Sequence, residues 1–263
     1  MRLATIQTAD GPRAAVLQGD AYVDLHATRP ALPPTVRGLL EGGPALLRQA
    51  AEAAAQPGAV RHPAAGAKLL PPVPDPPKIV CVGLNYRDHA AESGAPIPRE
   101  PVLFSKFNTA LVGHGANVVL PAVSQEVDFE AELVLVVGKA GRHLTPHGAM
   151  DYLAGYTVGH DVSARDWQLK KDGRQWLAGK TFDTFAPTGP HLVTADEVPD
   201  PLNLGVRLRL NGQTMQDSNT RQMIFPVWDV VSYLSRVFTL EPGDVCEVEI
   251  DGLGVLRNPV VGS

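Results

Sequence analysis

The chain predicts an α+β fold in which strands dominate, and three observations point that way. Its 25 Gly and 24 Pro among 263 residues punctuate the chain too often for long helices. Short apolar runs such as KIVCVG, PVLFSKF and GYTVGHDVSA are bounded by turn residues. Only one segment, Pro226 to Phe238, carries clear helical spacing, with Val227, Val230, Val231, Leu234 and Phe238 on one stripe.

In chain order, residues 1–70 read as a small N-terminal α+β domain. Strands are expected near Leu3 to Thr8 and from Ala14 to Leu25, followed by Ala-rich helical segments around Val36 to Ala55. Pro71, Pro72, Pro74, Pro76 and Pro77 make residues 71–77 a stiff, extended linker with few backbone donors. Residues 78–263 form the functional body. Within it KIVCVG is a buried strand, Asp88 to Glu92 a helical turn or more, and PVLFSKF a further strand. Thr145 before Pro146 is an N-cap with proline at the first helical position, opening a short helix toward Leu153. Asn211 and Gly212 between VRLRL and QTMQD specify a two-residue hairpin turn.

Hydrophobic residues at 44% and charged residues at 19% are ordinary for a globular protein with a sizeable core. A net charge of -5 with no Lys/Arg stripe argues against a nucleic-acid partner. No 18-residue apolar span is present, and MRLATIQTADG lacks the regions of a signal peptide, so no membrane partner is expected and a cytoplasmic location is the default. Cys81 and Cys246 lie far apart in apolar runs and read as small core hydrophobes. No serine-hydrolase, dinucleotide, zincin or Walker motif occurs.

The informative feature is Glu130 and Glu132 in VDFEAELVLVVG. Side chains at i and i+2 of a strand point the same way, roughly 7 Å apart, so both carboxylates can reach one site. Glu247 and Glu249 share that spacing in CEVEI, but alternate with Cys246, Val248 and Ile250 as a half-buried strand with a wet face. The first pair differs in its continuation, Leu133 to Val137, which is unbroken aliphatic as in a strand covered on both sides. Two carboxylates facing a buried volume need a cation or a shared proton. A solvated strand end is the competing reading. Asp161, ending GYTVGHD, offers a third carboxylate and equally reads as a helix cap or an arginine partner. Three oxygen donors would suit Mg2+ or Mn2+ better than Zn2+.

Taken together and in order, GLNYRDHAAESG, EPVLFSK, VDFEAELVLVVG, GYTVGHDVSARDWQ, GKTFDTFAPTGP and LRLNGQTMQDSNTRQMIF resemble the fumarylacetoacetate hydrolase family over about Lys78 to Pro259. The type closest in pattern is that of the 2-hydroxyhepta-2,4-diene-1,7-dioate isomerases and fumarylpyruvate hydrolases. The resemblance implies a mixed β roll or sandwich with few helices, paired as a homodimer. It implies that Glu130, Glu132 and Asp161 hold Mg2+, with Mn2+ or Ca2+ as substitutes. It implies catalytic roles for Lys180 beside the metal and for His89 and Glu92 on a mobile lid. Arg165 and Gln168 are implied to bind substrate or the attacking water, and Lys106 matches a lysine of a related strand and is placed with them. A carboxylate at i+3 reaches an imidazole at i on a helix, raises its basicity and orients its tautomer, which supports the His89–Glu92 dyad. His160, next to Asp161, should alternate to the opposite face of its strand.

The implied substrate is a 2-oxo acid, chelated through its carboxylate and 2-oxo oxygens while an enolate develops. Water attack on a carbonyl two carbons away gives C–C hydrolysis of an acylpyruvate or fumarylpyruvate. Protonation elsewhere gives isomerisation of a 2-hydroxy-diene-dioate in aromatic-compound catabolism, and loss of CO2 gives an oxaloacetate decarboxylase. One departure from the family pattern stands out. Glu241-Pro242-Gly243-Asp244-Val245 runs directly into Cys246-Glu247-Val248, where members of this type carry a Thr/Gly-rich loop. Its loss removes substrate-orienting donors, and keeps open a catalytically weakened, metal-binding homologue.

Overall fold

Apolar alternation in the first residues folds as a three-stranded antiparallel meander, β1 (Arg2–Thr8), β2 (Gly11–Gln18) and β3 (Ala21–Asp24). The expected single strand from Ala14 to Leu25 is broken at Gly19, whose φ of +61° is a left-handed conformation that glycine adopts without strain. Asp24 then accepts from the Ala27 amide and caps α1 (Leu25–Thr28). The helical stretch near Val36 to Ala55 is two helices, α2 (Val36–Glu41) and α3 (Gly43–Ala54), divided where Gly43 turns to φ +67°. Leu39, Leu40, Ala50 and Ala53 bury their face against Leu3, Ala14 and Val16 of the meander.

β4 (Arg61–Pro63) pairs with β3, and β5 (Leu69–Leu70) pairs with β1. The proline stretch 71–77 is packed: Pro71, Pro72 and Val73 are buried, and the Thr5 hydroxyl donates to the Pro72 carbonyl at 2.8 Å. β6 (Ile79–Gly83) follows, then α4 (Arg87–Glu92), β7 (Val102–Ser105), β8 (Leu111–Val112), β9 (Val118–Leu120), β10 (Val127–Asp128) and β11 (Ala131–Val137). Thr145 caps α5 (Pro146–Ala149) through the Gly148 amide, as its sequence predicts. β12 (Leu153–His160), β13 (Ser163–Ala164), α6 (Trp176–Lys180) and β14 (Ala186–Thr194) complete the centre. β15 (Gly205–Leu210) and β16 (Gln213–Asn219) form the hairpin, with Asn211 and Gly212 both at positive φ as its turn requires. α7 (Val227–Val237), β17 (Val245–Glu247) and β18 (Val260–Gly262) end the chain.

The computed structural model describes residues 1–247 and 253–262. Among them the main sheet runs β4-β3-β2-β1-β14-β12-β11-β17-β6-β7, with β5 beside β1 and β8 beside β14. It is mixed, because β17 lies antiparallel to β11 and parallel to β6. The N-terminal meander joins it through β1 and β14, with Leu3 opposite Leu192. β11 is buried on both faces, as its aliphatic run predicts. Val134 and Val136 enter the core shared with α2 and α3, whereas Leu133, Leu135 and Val137 pack with Val230, Val231 and Leu234 of α7. Cys81 is a buried member of the first core. The side chains of Cys246 and Glu247, and the whole of Glu249, fall outside the described part of the chain.

Candidate active site

The strand ladder brings the acidic residues together. β11 and β12 are antiparallel with Glu132 opposite Gly159 and Ala131 opposite His160, and the next rung is the Asp161 amide donating to the Glu130 carbonyl at 2.8 Å. Glu130 and Asp161 are therefore cross-strand neighbours, and Glu132 lies two residues along on the same face. His160 alternates to the other face and lines a separate apolar cavity with Ala131, Val158 and Val162.

Glu130, Glu132, Asp161, Arg165, Gln168 and Lys180 line one cavity of about 180 Å³. His89 and Glu92 face it from α4, so eight of the nine expected site residues share a single space. Trp176, Phe104 and Met215 supply its apolar wall. His89 and Glu92 are exposed and form no ion pair with each other among the described residues. Lys106 is the exception. It lies behind Asp161, and its side chain is 0% exposed. Its ammonium donates to the carbonyls of Val162, Lys180 and Phe185 at 3.2, 2.5 and 2.8 Å, and Lys106 is not among the residues that line the cavity.

Opposite charges alternate through the site. Lys106 Nζ lies 2.7 Å from Asp161 Oδ1. Lys180 Nζ, in a side chain 2% exposed, donates to Asp161 Oδ2 at 2.9 Å and to Glu130 Oε2 at 2.5 Å. Arg165 continues the series with Nη2 to Glu130 Oε1 at 2.6 Å, Nε to Asp128 Oδ2 at 2.9 Å and Nη1 to Gln168 Oε1 at 2.9 Å. Lys180 and Arg165 pair with these carboxylates and not with Asp183 or Asp166, their near neighbours in sequence. Asp166 instead accepts from Ser124 at 2.6 Å.

At Glu130, Lys180 and Arg165 burial opposes charge, and the neighbours override it. Desolvation pushes the Glu130 carboxyl up, but Lys180 and Arg165 together hold it well below the usual carboxylate range. Desolvation pushes Lys180 down, and Asp161 and Glu130 raise it above an ordinary lysine. Arg165 is likewise raised by Glu130 and Asp128 against the pull of burial. These three groups are therefore charged at neutral pH. In the neighbouring apolar cavity, His160 is driven down to about 4 by burial and by Lys106, against the opposing pull of Asp161.

The donor set fits a hard divalent cation in its chemistry. Three carboxylates, Asp128, Glu130 and Asp161, pair with three cations, Lys106, Arg165 and Lys180, and Glu132 lines the same cavity as a further carboxylate. Among the described residues no three acidic, imidazole or thiol side chains stand at coordination spacing as they are, and the Lys180 ammonium lies between Glu130 and Asp161.

Sequence reasoning did not single out several residues of the site. Asp128 stands two before Glu130, the same spacing that drew notice to Glu132. The Gln216 side chain accepts from the Ala131 amide at 2.9 Å and closes the head of β11. Ser218 donates to Asp88 and ties the hairpin to the helix bearing His89 and Glu92. QTMQD is legible as a hairpin strand, but no local pattern reveals what its side chains meet.

Residues 78–246 match the family model described as fumarylacetoacetate (FAA) hydrolase C-terminal. An oxaloacetate tautomerase of Xenopus laevis, fahd2, described as mitochondrial, is 47% identical over 266 residues, covering 99% of this chain and 83% of its own. A 2-hydroxyhepta-2,4-diene-1,7-dioate isomerase from Mycobacterium marinum superposes with a TM-score of 0.79 at 33% identity, covering 100% of this chain and 99% of its own. The maleylpyruvate hydrolase of Sphingobium sp. SYK-6, solved in complex with manganese (II) ion and pyruvate, gives a TM-score of 0.82 at 32% identity with both chains fully covered. No helix among the described residues is long and apolar enough to cross a membrane. The cytoplasmic expectation gains no support from the mitochondrial description of the relative. With the expected motifs, a strand-dominated α+β fold and matches to solved enzymes along its whole length, the chain belongs to the fumarylacetoacetate hydrolase family.

Proposed function

We propose that this enzyme interconverts the enol and keto forms of a short 2-oxo dicarboxylic acid of the oxaloacetate type. The observation that carries the reading is the buried Lys180 ammonium, which faces a small cavity while held by Glu130 and Asp161. The tautomerase name of a relative spanning 99% of the chain supports the substrate. Tautomerisation was not among the outcomes expected from sequence, yet it shares their first step.

Glu130, Glu132 and Asp161 are the residues that would hold a divalent ion, and Mg2+ suits this all-oxygen set, with Mn2+ as in the maleylpyruvate hydrolase structure. When bound, it would supply Lewis acidity toward the carboxylate and 2-oxo oxygens. Lys180 gives N–H groups to Glu130 and Asp161, and its ammonium, which lines the cavity, stabilises the oxygen on C2, where negative charge grows. His89 takes the proton from C3, and Glu92, three residues on along α4, orients the imidazole once its side chain turns to it. The C–H pair becomes the C2–C3 π bond as the carbonyl π pair moves onto the oxygen on C2; solvent water protonates that oxygen, and the exposed His89 imidazolium returns its proton to solvent, so protons balance. The reverse sequence restores the ketone. Arg165, fixed by Asp128, Glu130 and Gln168, orients the carboxylate end of the substrate.

Hydrolysis of an acylpyruvate is the second reading, favoured by His89 and Glu92 lying exposed on α4, where water reaches them. Proton transfer alone makes fewer demands on orientation than C–C cleavage, which needs a placed water and a placed leaving group. Loss of the Thr/Gly-rich loop therefore favours tautomerisation. Decay of enol absorbance in oxaloacetate freshly dissolved with Mg2+ tests the proposal. Catalysed decay without pyruvate release supports it, and pyruvate release indicates decarboxylation. Cleavage of acetylpyruvate or maleylpyruvate with no effect on the enol transfers the assignment to hydrolysis. No turnover of any of them, with retained Mn2+ binding, indicates the weakened homologue. A homodimer belongs to the same proposal and is tested by light scattering.

A further inference from the structure

We infer that Lys106 is a positioning residue, a buried cationic tie that sets Asp161 and Lys180 relative to each other without touching substrate. The inference rests on the proposed ion-holding role of Asp161. Lys106 follows β7, and its Nζ sits among four oxygens: the carbonyls of Val162, Lys180 and Phe185, and Asp161 Oδ1 at 2.7 Å. Three N–H groups serve the three carbonyls. Oδ1 lies in ionic contact but receives no directed hydrogen bond, and is one of the buried polar atoms without a donor.

Those carbonyls come from three separate segments, the end of β12, the end of α6 and the entry to β14. The first carries Asp161 and the second carries Lys180. One ammonium thus fixes the backbone on both sides of the Asp161–Lys180 contact. It also holds Asp161 Oδ1 on the far side, which turns Oδ2 to the Lys180 ammonium beside the cavity. No other side chain among those hydrogen-bonded here reaches all three segments. A lysine suits the position because a compact ammonium with three rotatable donors can satisfy carbonyls in three directions, where a planar guanidinium cannot.

Two roles make opposite predictions for Lys106→Met. If Lys106 positions Asp161, removing it lets the carboxylate turn, and Mn2+ binding measured by the EPR signal of free ion, with no substrate present, weakens at least 10-fold. Alongside, kcat for enol decay falls at least 100-fold, whereas KM at saturating Mn2+ moves less than 3-fold. If Lys106 acts only as a nearby positive charge, its removal tightens Mn2+, and that result overturns the inference. A KM rise of 10-fold or more with kcat and Mn2+ binding kept overturns it in favour of substrate contact. Unchanged values, or a wild-type protein that binds no Mn2+, also overturn it. Should Lys106→Met fail to fold, Lys106→Gln retains two donors and is read by the same criteria, with Mn2+ weakening of at least 3-fold expected. A wild-type enzyme that binds Mn2+ yet turns over no 2-oxo acid defeats the proposed function but leaves the Mn2+ comparison to decide Lys106.

Discussion

Replacing Lys180 with Met removes the ammonium that two carboxylates share, at a side chain only 2% exposed. Removing one partner of a buried ion pair costs about 3 to 5 kcal/mol, because the charge left behind has lost both water and counter-ion. Here each carboxylate keeps another cation: Arg165 at 2.6 Å from Glu130 and Lys106 at 2.7 Å from Asp161. The expected loss is therefore at the low end, about 3 kcal/mol at pH 8 in chelator-treated buffer. The pH dependence carries the sharper test. In the wild type, burial raises Glu130 but Lys180 and Arg165 bring it below its ordinary value of 4.5, so its contribution is complete above that value and is lost only as pH falls through the lower folded value. Between pH 8 and 5 the wild type is flat with respect to this group. Without Lys180, only Arg165 opposes the burial of Glu130, so that carboxyl binds its proton more tightly in the variant than in the wild type. Stability of the variant relative to the wild type then rises as pH falls, and an increase of one pH unit in that affinity returns about 1.4 kcal/mol. Urea unfolding at pH 8 and pH 5 measures both quantities. A loss below about 1 kcal/mol that does not change with pH would refute charge compensation as the role of Lys180.

The other expectations concern separate parts of the molecule. Glu130→Gln and Asp161→Asn should each weaken Mn2+ binding at least about 10-fold and lower kcat by about 100-fold or more, measured by EPR titration and enol decay; activity within 2-fold of wild type would remove them from the site. His89→Ala and Glu92→Gln should lower kcat by about 100-fold or more while leaving the unfolding midpoint in urea unchanged, since both side chains are exposed. His191, hydrogen-bonded to the Tyr22 hydroxyl at 2.7 Å, is held down at about 4 by burial first and by Arg2 and His114 second. Its folded value lies below the ordinary 6.5, so the unfolded chain protonates first, and stability present above pH 7 is lost as pH falls from 6.5 toward 4. This group should remove about 2 kcal/mol between pH 7 and pH 5, and His191→Gln should flatten that limb by a similar amount; an unchanged slope would rule it out.

What could be read from sequence here is what is local. The aliphatic run Leu133 to Val137, the Thr145–Pro146 cap, the Asn211–Gly212 turn and the stripe on α7 each fix a conformation through neighbours a few residues away, and each is found as expected. Glu130 and Glu132 share that legibility, because their common direction follows from strand period alone. Asp161 does not. Its place opposite Glu130 depends on which rung of β12 meets which rung of β11, and by itself the residue reads equally as a third carboxylate, a helix cap or an arginine partner. Lys106 lies one step further from view. A single lysine at the end of an apolar strand suggests a solvated head or a substrate contact, and nothing within several residues records that three distant carbonyls and an aspartate close around it. The alternating series Lys106, Asp161, Lys180, Glu130, Arg165, Asp128 draws its members from well-separated stretches, and its order in space is not its order along the chain. Electrostatic pairing of this kind is decided by topology: the sheet order sets which segments meet, and only then do the charges find partners. The proline stretch 71–77 makes the same point for packing, since its stiffness is written in composition while the burial of Pro71, Pro72 and Val73 against β1 depends on where the meander docks.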